Sequence, residues 1–388
     1  MKPGRFFFAY IVGVRDKVTG RRKRLFWILA LVFGVPVALG LITTILGSMA
    51  QTRAEERLAH ELVLAKQLGI KTERSQFARS VPDSENAAKF YGAAAKLKST
   101  DPIRSQMKTL LSKTEDSQAK LLALQLLKPL FDAIEAGADR PHLANSESNK
   151  SLFLSPTIFS SEKDAQLLQA KATLQMESGD WTGSLKSIHR LDSIAAHLSD
   201  YETTSGLIGQ LTVTNWATEA LVEFANRNRG NPTVLKTELD TIKGFRSDYN
   251  LLAVANKEMV ESREAIDDLK PVSVDVLWKK EMPFQEKYQL FMITRPSTRA
   301  EAAADQLTFF REEFEKWPQG TNKYAEQLAL MRATHAKVDA KYGRYGVWGQ
   351  ALFFWSPTME KALQSNIANR LAAQTKIEKL IALKSASK

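Results

Sequence analysis

Apolar positions follow two regimes along this chain. From Leu25 to Gly47 (LFWILALVFGVPVALGLITTILG) they run on with no charged residue among them. At roughly 1.5 Å per residue a helix of that length covers about 30–35 Å, enough for the hydrocarbon core of a bilayer. Beyond it apolar residues recur in steps of three and four, the period of helices with one buried face. Leu185, Ile188, Leu191, Ala195 and Leu198 are the clearest example. No segment sustains the alternation of a strand. The pattern predicts an all-α chain, with one N-terminal transmembrane helix followed by an extracytoplasmic multi-helix, bundle-like domain.

Turn and cap residues divide that domain. Residues 51–68 continue the span as a stalk that Gly69 ends. Pro82 stops the loop that follows, with Asp83 as the expected N-cap of the next helix, Glu85 in its first turn, and Ala87, Ala88, Tyr91 and Ala95 on one small face. Thr114 is expected to cap a helix holding Leu121, Leu122, Leu124, Leu126 and Leu127, with Gly137 after it. Residues 138–160, with Pro141, Asn145, Asn149 and Pro156, read as a long loop. Ser161-x-x-Asp164 has the form of a capping box and opens a helix through Met176, and Gly179-Asp180 turns the chain into the next. Further helices are expected over about 201–228, from Asn231-Pro232, over 249–268, from Thr298-x-x-Glu301 to Trp317 and over 321–342. A last one runs from Pro357 to about Leu383, with Leu363, Ile367, Leu371, Ile377 and Ile381 on one side. Pro271, Pro283 and Pro296 break the stretch 270–297 into short pieces.

The organisation that follows is a basic cytoplasmic arm (1–24), a transmembrane helix (25–47), a stalk helix and loop (48–80), a helical domain (81–269) and a C-terminal helical region packed on it (270–388). Within the helical domain, 161–198 forms a hairpin of two helices about a glycine turn, like one tetratricopeptide-type unit. No second copy follows at fixed spacing.

Charge sets the orientation. The net charge is +11, yet the first 24 residues alone hold eight basic groups and one acid. Arg21, Arg22, Lys23 and Arg24 abut the span, whereas Arg53, Arg57 and Lys66 beyond it are diluted by Glu55, Glu56 and Glu61. The bias predicts a cytoplasmic N-terminus, a large domain outside, and contact of Arg21–Arg24 with anionic lipid headgroups. The nearly balanced remainder argues against a nucleic-acid surface. Ser48-Met49-Ala50 has the small-x-small form of a signal-peptide cleavage site, but the apolar core is about twice the usual signal-peptide length, so a retained anchor is expected. Ala30, Gly34 and Ala38 recur every fourth residue, a spacing that lets two spans approach and makes a homo-oligomer an open option. Phe6 to Val12 is apolar but too short to cross; it either lies in the inner headgroup zone or forms part of a tail.

Candidate chemistry is sparse. There is no cysteine, hence no disulfide and no thiolate metal site. His189-x-x-Asp192 and His197-x-x-Asp200 each set an acid one turn after a histidine, but the two histidines point about 80° apart on one helix and no further ligand is in register. Gly-x-Ser-x-Gly and Gly-x-x-x-x-Gly-Lys are absent. Asp267-Asp268 and Glu312-Glu313 would serve glycoside cleavage only if folded opposite another acid. No catalytic residue, cofactor or metal ligand is assigned. The densest unusual stretch, Tyr342 to Trp355, interleaves glycines with large rings. Tyr345, Trp348, Phe354 and Trp355 are the candidate binding residues, with Trp278, Phe284, Tyr288 and Phe291 as possible neighbours. The other reading is that these rings fill the end of the helical core.

Pro82-Asp83-Ser84-Glu85-Asn86-Ala87-Ala88-x-x-Tyr91, and Glu177-Ser178-Gly179-Asp180-Trp181 leading into a helix that ends Ala195-Ala196-His197-Leu198, together resemble a broad set of uncharacterised bacterial single-pass envelope proteins with all-helical outer domains. The resemblance covers about residues 80–250 and implies the bacterial inner membrane but no activity. The expected function is a membrane-anchored interaction or scaffold protein with an envelope protein as partner. The competing class is an envelope hydrolase using paired carboxylates on a polymer or peptide.

Overall fold

The computed structural model describes residues 27–28, 30–77, 80–144, 156–228, 251–267, 295–314 and 357–385, with a few isolated positions between them. Every regular element among the described residues is helical. The basic arm, the helices expected from Asn231-Pro232 and over 321–342, and most of 270–294 lie outside them.

The apolar run forms one long helix, α1 (Val35–Gln67), preceded by a π-helical turn over Ala30–Gly34. Pro36 accounts for the wide turn. It has no N–H to offer the carbonyl four residues back, and its ring would strike that carbonyl in a regular helix. The apolar part is long enough to cross a membrane, and none of it is buried among the described residues. Its few polar side chains are satisfied within the helix: Thr43 and Thr44 both donate to the Gly40 carbonyl, at 2.9 and 2.7 Å.

α1 stops at a glycine. Gly69, at φ +73°, donates to the Lys66 carbonyl at 3.1 Å, and Ile70 donates to Ala65 at 3.0 Å. That pair of bonds is a Schellman closure, which needs a residue free to enter the left-handed region. Ile70 is buried beyond it.

Seven helices follow in the body: α2 (Ala88–Lys98), α3 (Asp101–Leu111), α4 (Ser117–Leu126), α5 (Lys128–Ala138), α6 (Pro156–Glu177), α7 (Trp181–Ser199) and α8 (Thr204–Arg227). After them come α9 (Leu251–Asp267), α10 (Pro296–Phe314) and α11 (Pro357–Ser385). α6, α7 and α8 pack on one another, and α11 lies along α8. Their buried leucines, isoleucines and alanines form the main core with Tyr91, Phe131 and Phe224. A second, smaller core joins the end of α1 to α9 and α10 through Ala65, Ile70, Phe77, Met259, Val260 and Leu307.

The amphipathic face of α7 is buried as expected, with Ile188, Leu191, Ala195 and Leu198 inside and Leu185 packed partly buried against them. Gly179 has φ +78°, and the Asp180 carboxylate caps α7 by accepting from Gly183 N–H at 2.9 Å.

Several boundaries differ. Asp83 is not a cap: α2 starts at Ala88, whose N–H is taken by Asn86 Oδ1 at 3.0 Å, and Ala94 rather than Ala95 is buried. Thr114 is not a cap either; Asp116 accepts from Ala119 N–H at 2.7 Å. The segment after it is two helices, because Pro129 fits the first turn of a new helix and not the interior of an old one. Leu121, Leu122 and Leu126 are exposed on α4. α6 begins at Pro156, so Ser161 and Asp164 lie inside the helix and form no capping box. α10 likewise begins at Pro296, two residues before Thr298. Among the described side chains of α11, Asn366, Ala373 and Ile377 are buried and Ile381 packs partly buried on the core, whereas Leu371 is 59% exposed; Leu363 and Ile367 lie outside the described side chains. Asn366 is inside because its amide donates to the Leu211 carbonyl and to Asn215 Oδ1, at 3.1 and 2.9 Å.

Candidate functional site: the polar seam behind the apolar helix

Tyr345, Trp348, Phe354 and Trp355 lie outside the described residues, as do Trp278, Phe284, Tyr288, Phe291 and Arg21–Arg24. The two histidines of α7 are not brought together. His189 is exposed, and His197 is 1% exposed with both ring nitrogens engaged. His197 Nε2 donates to the Arg140 carbonyl at 2.8 Å, which leaves Nδ1 to accept from the Tyr91 hydroxyl at 2.8 Å. Asp200 accepts from Leu143 N–H at 3.0 Å. Among the described residues no three His, Asp or Glu side chains are grouped as a metal site would require.

The densest polar construction sits where α1 meets the body. It begins on α1 itself, whose exposed apolar face gives way to a packed one. Ala54, Glu61 and Ala65 are buried, and Leu58 and Leu62 are partly so. Arg57 donates to Asp305 on α10 at 2.7 Å, and Arg311 on α10 donates to Glu61 at 3.2 Å. Asp305 and Glu61 are the buried partners, so each ion pair is half shielded from water and holds the two helices in register.

α9 supplies the rest. Its sequence reads as a wet, acidic helix, yet Asn256, Lys257, Glu258, Glu261 and Ser262 are all buried. The reason is that two loops press against it with open backbone groups, which cannot be buried without partners. Asn256 answers both groups of Lys71, accepting from its N–H at 3.0 Å and donating to its carbonyl at 2.6 Å. Arg263 donates to the Thr72 carbonyl. Glu264 accepts from the Arg74 backbone N–H at 3.2 Å and forms an ion pair with its guanidinium at 2.9 Å. On the other side Lys257 donates to the Tyr201 carbonyl at 2.5 Å, and Glu258 accepts from Thr204 N–H in the first turn of α8 at 2.6 Å. A carboxylate there also complements the positive end of the helix dipole. Glu202, between them, is held at φ +49° and pairs with Lys71 at 3.7 Å.

Glu261 stands in the middle and its Oε2 is buried without a hydrogen-bond partner. Burial pushes its carboxyl up to about 7, against the pull of Lys257 and with the added push of Glu258. Glu258 is raised in the same direction, again mainly by burial, with the Thr204 bond opposing.

The seam can transmit force and position between α1 and α8, and it can take up a proton near neutrality. Its other carboxylates are already bonded to groups of the chain itself. Sequence reasoning missed it because its partners are backbone atoms 54–191 residues away from the α9 side chains that bond them. The one readable signal was the row of polar residues on a helix that would otherwise be apolar enough to bury.

No protein-family model, curated protein or solved structure matches this chain.

Proposed function

We propose that the chain is a membrane-anchored interaction or scaffold protein of the bacterial cytoplasmic membrane. Its basic arm lies in the cytoplasm, residues 25–47 span the bilayer, and the helical body stands outside. One observation carries the reading: a long apolar helix that nothing among the described residues covers runs without a break into a segment docked on the body. Left in water, that apolar surface would be a large uncompensated exposure; lipid removes it. The cluster Arg21–Arg24 gives the direction of insertion and meets anionic headgroups on the cytoplasmic side.

A scaffold has to hold its working surface at a fixed place relative to the membrane. The paired charges of α1 and α10 and the polar ties of α9 serve that purpose. The engagement of Glu258 and Glu264 within the seam favours a structural use of these acids over hydrolysis. The partner is another envelope protein, met through the aromatic stretch that includes Tyr345, Trp348, Phe354 and Trp355. Ala30, Gly34 and Ala38 give a second copy a place to pack in the membrane.

Crosslinking in intact cells, followed by purification in mild detergent and identification of what is bound, tests the reading. A reproducible envelope protein, lost when Trp348 and Trp355 are replaced by alanine, is the expected result. Recovery of the chain alone after crosslinking contradicts it.

A further inference from the structure

The register between α1 and α10 fixes how close the body stands to the end of the apolar run. Arg57 pairs with Asp305 and Glu61 with Arg311, so residue numbers rise together and the two helices run parallel. The offsets are 248 and 250 residues. Carried back along α10, the same offset sets its first turn, residues 296–299, level with about residues 48–51 of α1.

Those residues lie at the boundary of the proposed span. The uncharged run ends at Gly47, and Ala54 is already buried against the body. Seven residues of helix rise only about 10 Å. The headgroup layer on each side of the hydrocarbon is about 5–8 Å thick. Nor can the joint swing freely: from Ser48 to Gln67 the helix is continuous and contains neither glycine nor proline.

We propose that the first turn of α10, with Arg295 just before it and Arg53 on α1 about one turn further from the span, is seated in the headgroup layer of the outer leaflet. The body then rests on the lipid surface instead of standing off on a stalk. The ligand is the phosphate and glycerol zone of the bilayer. Arg295 and Arg53 are exposed cations that flank that level on its two sides, Ser297 and Thr298 are small and polar, and the positive end of α10 points the same way. This inference rests on the membrane-anchor reading, and its test separates the two.

The chain has no cysteine, so single cysteines can be labelled without background. Nitroxides are placed at Leu41→Cys, Ser297→Cys and Lys66→Cys in the full-length protein, reconstituted in vesicles of phosphatidylcholine and phosphatidylglycerol. Their depth is read by electron paramagnetic resonance from accessibility to oxygen against a water-soluble nickel chelate. Leu41 should be deep. Lys66, roughly 28 Å along the helix from Gly47, should be fully aqueous. Ser297 should read at headgroup depth, with nickel accessibility at least threefold below that of Lys66. Thr298→Cys repeats the measurement if Ser297→Cys does not fold. A deep Leu41 with Ser297 as aqueous as Lys66 overturns the seating and leaves the anchor standing. An aqueous Leu41 overturns both.

Discussion

The Tyr91 hydroxyl and His197 Nδ1 are 2.8 Å apart in the middle of the main core, and the two rings meet edge to face with centroids 5.7 Å apart. This contact ties α2 to α7 over a separation of 106 residues, and through Nε2 it also holds the turn at Arg140. Because a carbonyl only accepts, His197 carries a proton on Nε2. Tyr91→Phe keeps the ring but orphans a buried acceptor. It should cost about 1–3 kcal/mol in denaturant unfolding of the detergent-solubilised protein. An unchanged midpoint would show that the bond carries no stability.

Gly137 makes room for that same tyrosine. A Cβ at this position would lie 2.8 Å from Tyr91 Cε1. Gly137→Ala raises helix propensity on α5, which alone would stabilise. The clash with a fully buried ring should outweigh it, giving a net loss of about 1–3 kcal/mol. A rise in stability on this substitution would mean that the tyrosine is free to move aside.

Lys98 ties α2 to the start of α6. Its ammonium donates to Asp164 at 2.6 Å and to Ser160, whose hydroxyl and carbonyl lie at 2.6 and 3.0 Å. The Asp164 carboxyl is raised to about 6 by burial, with Lys98 opposing. Removing one partner leaves the other charge buried and alone. Asp164→Leu and Lys98→Met should therefore each cost about 3–5 kcal/mol, and the double variant less than the sum. Simple additivity in a double-mutant cycle would remove the pair from this account.

Glu261 predicts a pH dependence of known sign. Its carboxyl is raised from 4.5 to about 7 in the folded chain, so between those values the native state binds more protons than the unfolded one. Stability from this group falls as pH rises through that window, and the cost is fully present above about pH 7. Glu261→Gln should flatten the dependence and make the protein more stable at pH 8, by on the order of 2–3 kcal/mol. Glu258, raised in the same direction, leaves part of the slope in place. Unfolding midpoints of both proteins from pH 5 to pH 8 provide the check, and parallel curves would refute it.

The all-helical architecture was legible because α7 buries one side of a regular period and because Gly69 and Gly179 stop helices where only glycine is at ease. Local signals failed where a distant partner claimed the side chain. Ser161 and Asp164 have the spacing of a capping box, but Lys98, 66 residues upstream of Asp164, takes the carboxylate. Asn366 reads as a wet position on α11, and the carbonyl of Leu211 draws it inside. The seam was the least legible part. Asn256, Lys257 and Glu258 look like solvent-facing residues until the loops at Lys71 and Tyr201 fold onto them.

The central claim is that lipid covers the apolar helix, which nothing among the described residues does, and that its flanking cations place the body outside. Labelling of single cysteines by a membrane-impermeant maleimide in intact spheroplasts tests it most directly. A cysteine at Gln118, on the surface of α4, should react at once, and one at Lys17 in the arm only after the membrane is opened. Reaction at Lys17 with protection at Gln118, or equal reaction at both in a protein recovered free of membranes, would contradict the account.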